Sequence, residues 1–325
     1  DPVTGEIKKS KGTGVLKYQD VFGKTLVELA EKNEKIVGVT AAMPSGTSMC
    51  VMQEKIPERT FDVGIAEGHA VTFSAGLAKD GLKPFCAIYS TFLQRAYDSI
   101  INDVAILNLP VTFCIDRAGL VGEDGVTHQG AFDLAYMRCV PRGVGGAGID
   151  EHVGGYLVFT VQSRESGPVA IRYPRGNGVL VDWKNEFQSV EIGKGRKLAD
   201  GDKVAVLSIG HIGNNVSQVV DELRNQGINV AHYDMVFLKP LDESIMKEVG
   251  EKYKAVVTVE DGTVVGGLGT TVADWFNAHD YNVKVRKVGI PDEFVPHGTI
   301  PELYKLCKMD NESIKEIVLS LHNQF

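Results

Sequence analysis

Glu67 opens an alanine- and glycine-rich stretch in FDVGIAEGHAVTFSAGLA (61–78), behind an apolar, strand-like piece that delivers it to a helix start. A carboxylate there complements the helix dipole and by itself signals only structure. Three further segments give it weight. IYSTFLQRAYDSIINDVA (88–105) gathers Tyr89, Phe92 and Arg95 around a strand-to-helix junction. That junction is the carboxyl end of a parallel strand, where α/β folds bind ligands. FCIDRAGLVGEDGVTHQGAFDLAY (113–136) ends a strand at Asp116 and Arg117. It continues as a glycine-rich loop with Glu123, Asp124, Thr127, His128 and Gln129. IRYPRGNG (171–178) adds Arg172 and Arg175 after a fourth strand. Taken singly, Phe92 reads as a core ring, Arg95 as a solvated helix charge and His128 as a loop histidine. Together they supply proton carriers, a stacking ring and two arginines, Arg117 and Arg175, able to fork onto a phosphate.

The elements that must position these residues follow from apolar periodicity. Strands are predicted at 35–40, 84–90, 110–116 and 168–174, and a second set at 204–210, 229–235, 255–260 and 283–290. Helices are predicted from Tyr18 to Glu31 and over 66–79, 92–107, 213–226, 242–252, 267–278 and 311–322. Strands alternating with helices imply βαβ units and parallel sheets. Near-continuously apolar strands imply sheets covered on both faces. The fold class is therefore α/β, with two doubly wound domains, 15–177 and 193–325, joined by a linker at 178–192.

Two glycine motifs invite a nucleotide reading. GVGGAG (143–148) fits G-x-G-x-x-G by letter, but no clear strand precedes it and no clear helix follows. GGLGTT (266–271) lies between a strand and a helix but lacks the third glycine. It reads as a structural turn or an anion pocket rather than a dinucleotide site.

Composition narrows the function classes. The 325 residues carry a net charge of −8 and no basic run, a poor basis for nucleic-acid binding. No apolar run approaches membrane length, and the polar opening DPVTGEIKKSKG is not a secretory signal. Five scattered cysteines, never CxxC, suit a reducing cytoplasm and offer no zinc site. Glycine, at 36 residues, is in excess of the ordinary proportion.

YSTFLQRAYD followed by DRAGLVGEDGVTHQGAFD, with RYPRGNG beyond, resembles the pyrimidine-binding domain of the 1-deoxy-D-xylulose-5-phosphate synthases, thiamine-diphosphate-dependent relatives of transketolase. DMVFLKPLD (234–242), VEDGTVVGGLG (259–269) and IPDEFVPHGT (290–299) extend the resemblance into a transketolase C-terminal-like domain. It implies condensation of pyruvate with D-glyceraldehyde 3-phosphate to 1-deoxy-D-xylulose 5-phosphate and carbon dioxide, through a thiamine-bound enamine. It further implies that Glu67 hydrogen-bonds a pyrimidine nitrogen of thiamine diphosphate and that Phe92 stacks on that ring. Tyr89, Arg117 and Arg175 would hold the substrate phosphate, and Asp124 and His128 would stand near the reacting carbons, His128 as a proton carrier. Arg95 would serve the substrate side, either at the phosphate or at the lactyl intermediate. A cytoplasmic homodimer is implied as well.

The chain departs from that family in three places. Gly68 replaces the usual Gln after the catalytic Glu, which loosens the helix start. RGVGGAGIDEHVGG (142–155) replaces an apolar strand and a good helix, so a distorted or poorly ordered segment is expected there. The family's amino-terminal half, with the GDG…N element that binds Mg2+ on the cofactor diphosphate, is not in the sequence. KDG (79–81) and ADG (199–201) lack the partner Asn, and no metal ligands are expected in this chain. Residues 1–14 resemble the linker from that half, so the chain reads as a fragment, inactive alone. The alternatives are a free-standing beta-type subunit of a split transketolase or 2-oxo acid dehydrogenase, and a non-catalytic assembly module.

Overall fold

The computed structural model describes residues 14–325; the linker expected at 1–14 lies almost wholly outside them. In the first half, the helix α1 (Tyr18–Lys32) places Val21, Phe22, Leu26 and Leu29 in the core, as its spacing predicts. It is followed by β1 (Ile36–Thr40), α2 (Met49–Lys55), β2 (Thr60–Asp62), α3 (Glu67–Lys79) and β3 (Lys83–Tyr89). A helical run over 90–105 contains α4 (Ser90–Leu93) and α5 (Tyr97–Ser99), interrupted by a 3-10 turn and ended by a π turn. Then come β4 (Thr112–Asp116), α6 (Asp133–Cys139), β5 (Val144–Ala147), α7 (Glu151–Val161) and β6 (Val169–Arg172).

The second half holds β7 (Arg196–Ala199), β8 (Val204–Ile209), α8 (Gly213–Asn225), β9 (Ala231–Asp234), β10 (Phe237–Lys239), α9 (Glu243–Lys252) and β11 (Ala255–Thr263). It ends with α10 (Leu268–Ala278), β12 (Lys284–Ile290), α11 (Ile300–Leu306) and α12 (Asn311–His322).

Among the described residues, the strands form two sheets. The larger has the order β10-β5-β6-β4-β3-β1-β2 and the smaller β12-β11-β8-β9-β7. All neighbours are parallel except β10 on β5 and β7 on β9. The α/β class with two doubly wound units is therefore present. The central strands β1, β4, β6 and β8 are buried along their whole length, because helices cover both faces. Cys86 lies buried inside β3 and Cys114 inside β4, and burial pushes the Cys86 thiol up to about 12. No helix among the described residues is long and apolar enough to cross a membrane.

The glycine-rich segment corrects one expectation. Residues 144–147 form a strand in even parallel register with β6, with the irregularity confined to a register shift in β10 between Phe237 and Lys239, and α7 runs for 11 residues with Asp150 capping Val153 N at 2.9 Å. Close approach requires glycine at 148, where a Cβ would sit 2.5 Å from Gly154 N. The helix loses propensity at Gly154 and Gly155 but gains a cap and the burial of Val153, Leu157, Val158 and Val161. The helix expected at 92–107 is also corrected, since its turns change type at Gln94 and again at Ile100. At Gly68 the helix starts on schedule, and an added Cβ would meet only Ser99 Oγ, at 3.8 Å.

Candidate active site

The site is built on the carboxyl ends of β3 and β4, whose register sets Tyr89 beside Asp116. α3 begins at Glu67, and the 90–105 run brings Phe92 and Arg95 over it. Glu67 Oε1 accepts from Arg95 Nη1 at 2.8 Å; the glutamate side chain is 6% exposed and the arginine 59%. Arg95, expected on the substrate side, is here paired with Glu67 and remains largely exposed. Its guanidinium lies 5.2 Å from the Phe92 ring centre. Phe92 stacks on Tyr89 at 5.8 Å and 15°, and meets His128 edge-on at 5.4 Å and 75°. Arg117 lies over Tyr89 at 4.0 Å. A continuous line of contacts therefore runs from Glu67 through Arg95, Phe92 and Tyr89 to Arg117, with His128 as a branch.

Arg117 has a left-handed backbone, φ 54°, which turns its guanidinium back toward the strand end. It donates to Gln19 Oε1 at 3.1 Å, to Asp116 Oδ1 at 3.0 Å and to the Gly46 carbonyl. Asp116 is fully buried, and burial pushes its carboxyl up to about 7 against the opposing pull of Arg117. The folded state then holds a proton that the unfolded chain has released between about pH 4 and 7, so this group's contribution to stability falls as pH rises through that window. Asp116→Asn removes that dependence. Urea unfolding at pH 4.5 and 7.5 should show the variant losing less stability than the wild type over the interval. An identical loss in both would refute the assignment.

Gly46 must lack a side chain, because a Cβ there would stand 1.6 Å from Tyr89 Oη. Gly46→Ala should cost about 1–3 kcal/mol, the usual range for overpacking. Adding Tyr89→Ala in the same chain should recover most of it in denaturant titrations. No recovery would place the damage elsewhere.

Arg175 donates from Nη1 to Val121 O at 2.7 Å and Glu123 Oε2 at 2.9 Å, and its Nε lies 3.5 Å from Asp124 Oδ2. It faces Tyr89 closely enough for its charge, with that of Asp124, to act on the phenol. Both arginines read as a phosphate fork thus carry carboxylate partners. His128 Nδ1 is 2.9 Å from Thr127 Oγ1, and Thr91 Oγ1 ties the Thr127 carbonyl at 2.8 Å. Arg172 stands apart from the group. It is buried in an ion pair with Asp133, Nε to Oδ2 at 2.6 Å. Sequence reasoning missed Gln19 and Gly46, which reach the site from outside the quoted motifs and carry no spacing signal, and Thr91, which lies within the 88–105 motif but was not singled out.

Glu67 is buried, and Arg95 makes its one hydrogen bond among the described residues, on Oε1. A carboxyl group so held beside a half-buried aromatic ring fits the pyrimidine end of a thiamine-type cofactor. Among the described residues, no three or more His, Cys, Asp or Glu side chains gather as a metal centre.

Residues 15–179 match the family model for the transketolase pyrimidine-binding domain, and residues 193–314 match that for the transketolase C-terminal domain. The chain belongs to the transketolase family. Its relatives include 1-deoxy-D-xylulose-5-phosphate synthases from Bacteroides thetaiotaomicron, 56% identical over 98% of this chain and 50% of that protein, and from Phocaeicola vulgatus, 54% identical over 98% and 51%. The chain spans about half the length of the curated relatives it matches. Among solved structures it is similar to a split gene transketolase, described as an inactive beta4 tetramer, with a TM-score of 0.83 and 30% identity. That match covers 94% of this chain and 98% of the other. Transketolase from Campylobacter jejuni shares the fold, with a TM-score of 0.78 at 20% identity, over 98% of this chain and 49% of that one.

In this transketolase-family chain the GGLGTT segment is a structural turn. Leu268 N and Gly269 N, at the start of α10, donate to Glu260 at 2.7 and 2.9 Å. The acceptor at this helix start is the protein's own Glu260 carboxyl group, which burial pushes up to about 7.

Proposed function

We propose that this chain is the pyrimidine-binding and C-terminal part of a 1-deoxy-D-xylulose-5-phosphate synthase, a transketolase-type transferase. The reaction joins pyruvate to D-glyceraldehyde 3-phosphate and releases carbon dioxide. One observation carries the reading: the side chains singled out for that chemistry make a continuous line of contacts, Glu67–Arg95–Phe92–Tyr89–Arg117 with His128 at its branch. Identity of 54–56% to proteins of that name supports it.

When bound, thiamine diphosphate supplies a nucleophilic carbon that can add to a keto acid and hold the charge left as carbon dioxide departs. Glu67 would exchange a proton with a pyrimidine ring nitrogen, Arg95 would hold that carboxylate in place, and Phe92 would take the ring face. Tyr89, Arg117 and Arg175 would bind the aldehyde's phosphate, with Arg175 turning from Glu123 and Asp124. Asp124 would orient the substrate hydroxyls. His128 would move a proton at the reacting carbonyl oxygen. Mg2+ and the diphosphate would be held by a segment outside this chain, and the assembled enzyme would be a homodimer.

A test reads the two substrates separately, with the chain completed by a thiamine-diphosphate-binding half. Arg175→Ala should raise the KM for glyceraldehyde 3-phosphate roughly ten- to a hundredfold, the loss of a charge-assisted contact, and leave that for pyruvate near its starting value. Equal effects on both would remove Arg175 from the phosphate site.

A second reading, a beta-type subunit of a two-chain enzyme, is favoured by the 98% coverage of the split gene transketolase chain. The intact mass of the protein purified from its source separates the two. A polypeptide of about twice this length supports the first, and a chain of this length with a separate partner supports the second.

A further inference from the structure

The loop that carries Asp124 and His128 begins at Gly119 and ends at Gly130, which exchange backbone hydrogen bonds at 2.8 and 2.7 Å. Its feet rest on the C-terminal domain. Leu120 and Ala131 belong to that domain's hydrophobic core, and Thr263 N donates to Ala131 O at 2.8 Å. Gln129 spans the loop base, accepting from Val121 N at 2.8 Å and donating to Pro296 O at 3.1 Å.

The polar anchor beneath Leu120 is Asp261, fully buried at the carboxyl end of β11. Its Oδ1 accepts from Leu120 N at 3.0 Å. Its Oδ2 accepts from Tyr304 Oη at 3.0 Å and lies 3.1 Å from His211 Nε2, which is 2.8 Å from the same tyrosine oxygen. Burial and the Asp261 carboxylate hold the Tyr304 hydroxyl protonated, so it is a donor here. The fit leaves no slack: a Cβ on Gly119, whose φ is +84°, would stand 2.2 Å from the Asp261 carboxyl carbon.

We propose that Asp261, oriented by Tyr304 and His211, is a positioning residue that fixes the Gly119–Gly130 loop and so sets where Asp124 and His128 stand relative to Phe92. The catalytic consequence rests on the function proposed above; the positioning does not. The C-terminal domain thereby contributes to the site without touching substrate. A carboxylate suits this task because one oxygen serves the loop amide while the other accepts from Tyr304, whose hydroxyl His211 contacts in turn, both in its own domain. Asp261 can then neither rotate nor retreat without leaving a buried donor unpaired.

Hydrogen–deuterium exchange on the chain tests the positioning. In Asp261→Ala, residues 119–130 should exchange roughly ten- to a hundredfold faster, while β3, β4 and β8 keep their rates. Asp261→Asn keeps an oxygen for Leu120 N and should fall between. An unchanged loop, or acceleration spread evenly over both domains, overturns the proposal. If Asp261→Ala does not fold, Tyr304→Phe removes only the hydroxyl donor and should loosen the same segment by a smaller factor; no loosening there also overturns it. In the completed enzyme, Tyr304→Phe should lower kcat/KM for the aldehyde and leave thermal stability nearly unchanged. A loosened loop with unaltered kinetics would support the positioning and retire the functional reading instead.

Discussion

Glu67→Gln should lower turnover by about 10²–10⁴-fold, the range for removing a general acid or base, while the chain folds as before. The amide matches the carboxylate in shape, and its oxygen can still accept from Arg95 Nη1, now 2.8 Å away. What it loses is the ability to exchange a proton. The measurement is carbon dioxide release from pyruvate and glyceraldehyde 3-phosphate, in the chain completed by a thiamine-diphosphate-binding half. Thermal unfolding of both forms serves as control. A drop below tenfold would take Glu67 out of the chemistry. A large fall in thermal stability would make it a structural carboxylate at a helix start.

The largest effect on stability is expected at Arg172. It is buried with Asp133, and the pair is tied to both domains. Arg172 Nη2 donates to the Asp261 carbonyl at 2.7 Å, and Ser90 Oγ to Asp133 Oδ1 at 3.0 Å. Arg172→Ala leaves the Asp133 carboxylate buried without its cation and should cost about 3–5 kcal/mol. Removing both charges with residues of similar volume, Arg172→Met with Asp133→Leu, should return most of that, since the pair's own desolvation is avoided. Urea titration of the single and double variants gives the comparison. A single-variant loss under about 1 kcal/mol would mean that water reaches the pair.

Arg172 also marks the boundary of what the chain's letters reveal. It ends the strand that Arg175 follows and shares its chemistry, so sequence offers no reason to separate them. Strand pairing does: Ile115 lies beside Arg172 in the register of β4 and β6, which turns Arg172 inward against α6. The parallel strands and most helices were legible because their apolar runs are long and their periods clean. α2, β7, β10 and α11 were not, being short pieces whose position depends on partners distant in the chain. β5 and α7 were masked by their glycines, which weaken propensity but permit the close contact between Gly148 and Gly154. The site motifs stand out as dense polar loops beyond strand ends. Their backing does not, because Gln19, Gly46 and Asp261 lie 98, 71 and 141 residues from their partners Arg117 and Leu120.

The strand β10, from the second half, forms the outer edge of the first sheet, and Ala147 N donates to Val236 O at 2.8 Å as it joins β5. During synthesis, Val144–Ala147 leaves the ribosome on the order of ten seconds before Phe237–Lys239 follows. Until then it is a bare edge of small residues, with open amides and carbonyls and little side-chain bulk to repel a second chain. The nascent protein thus passes through an interval of aggregation risk that closes only when the downstream half arrives. A truncation before residue 237 would make that interval permanent.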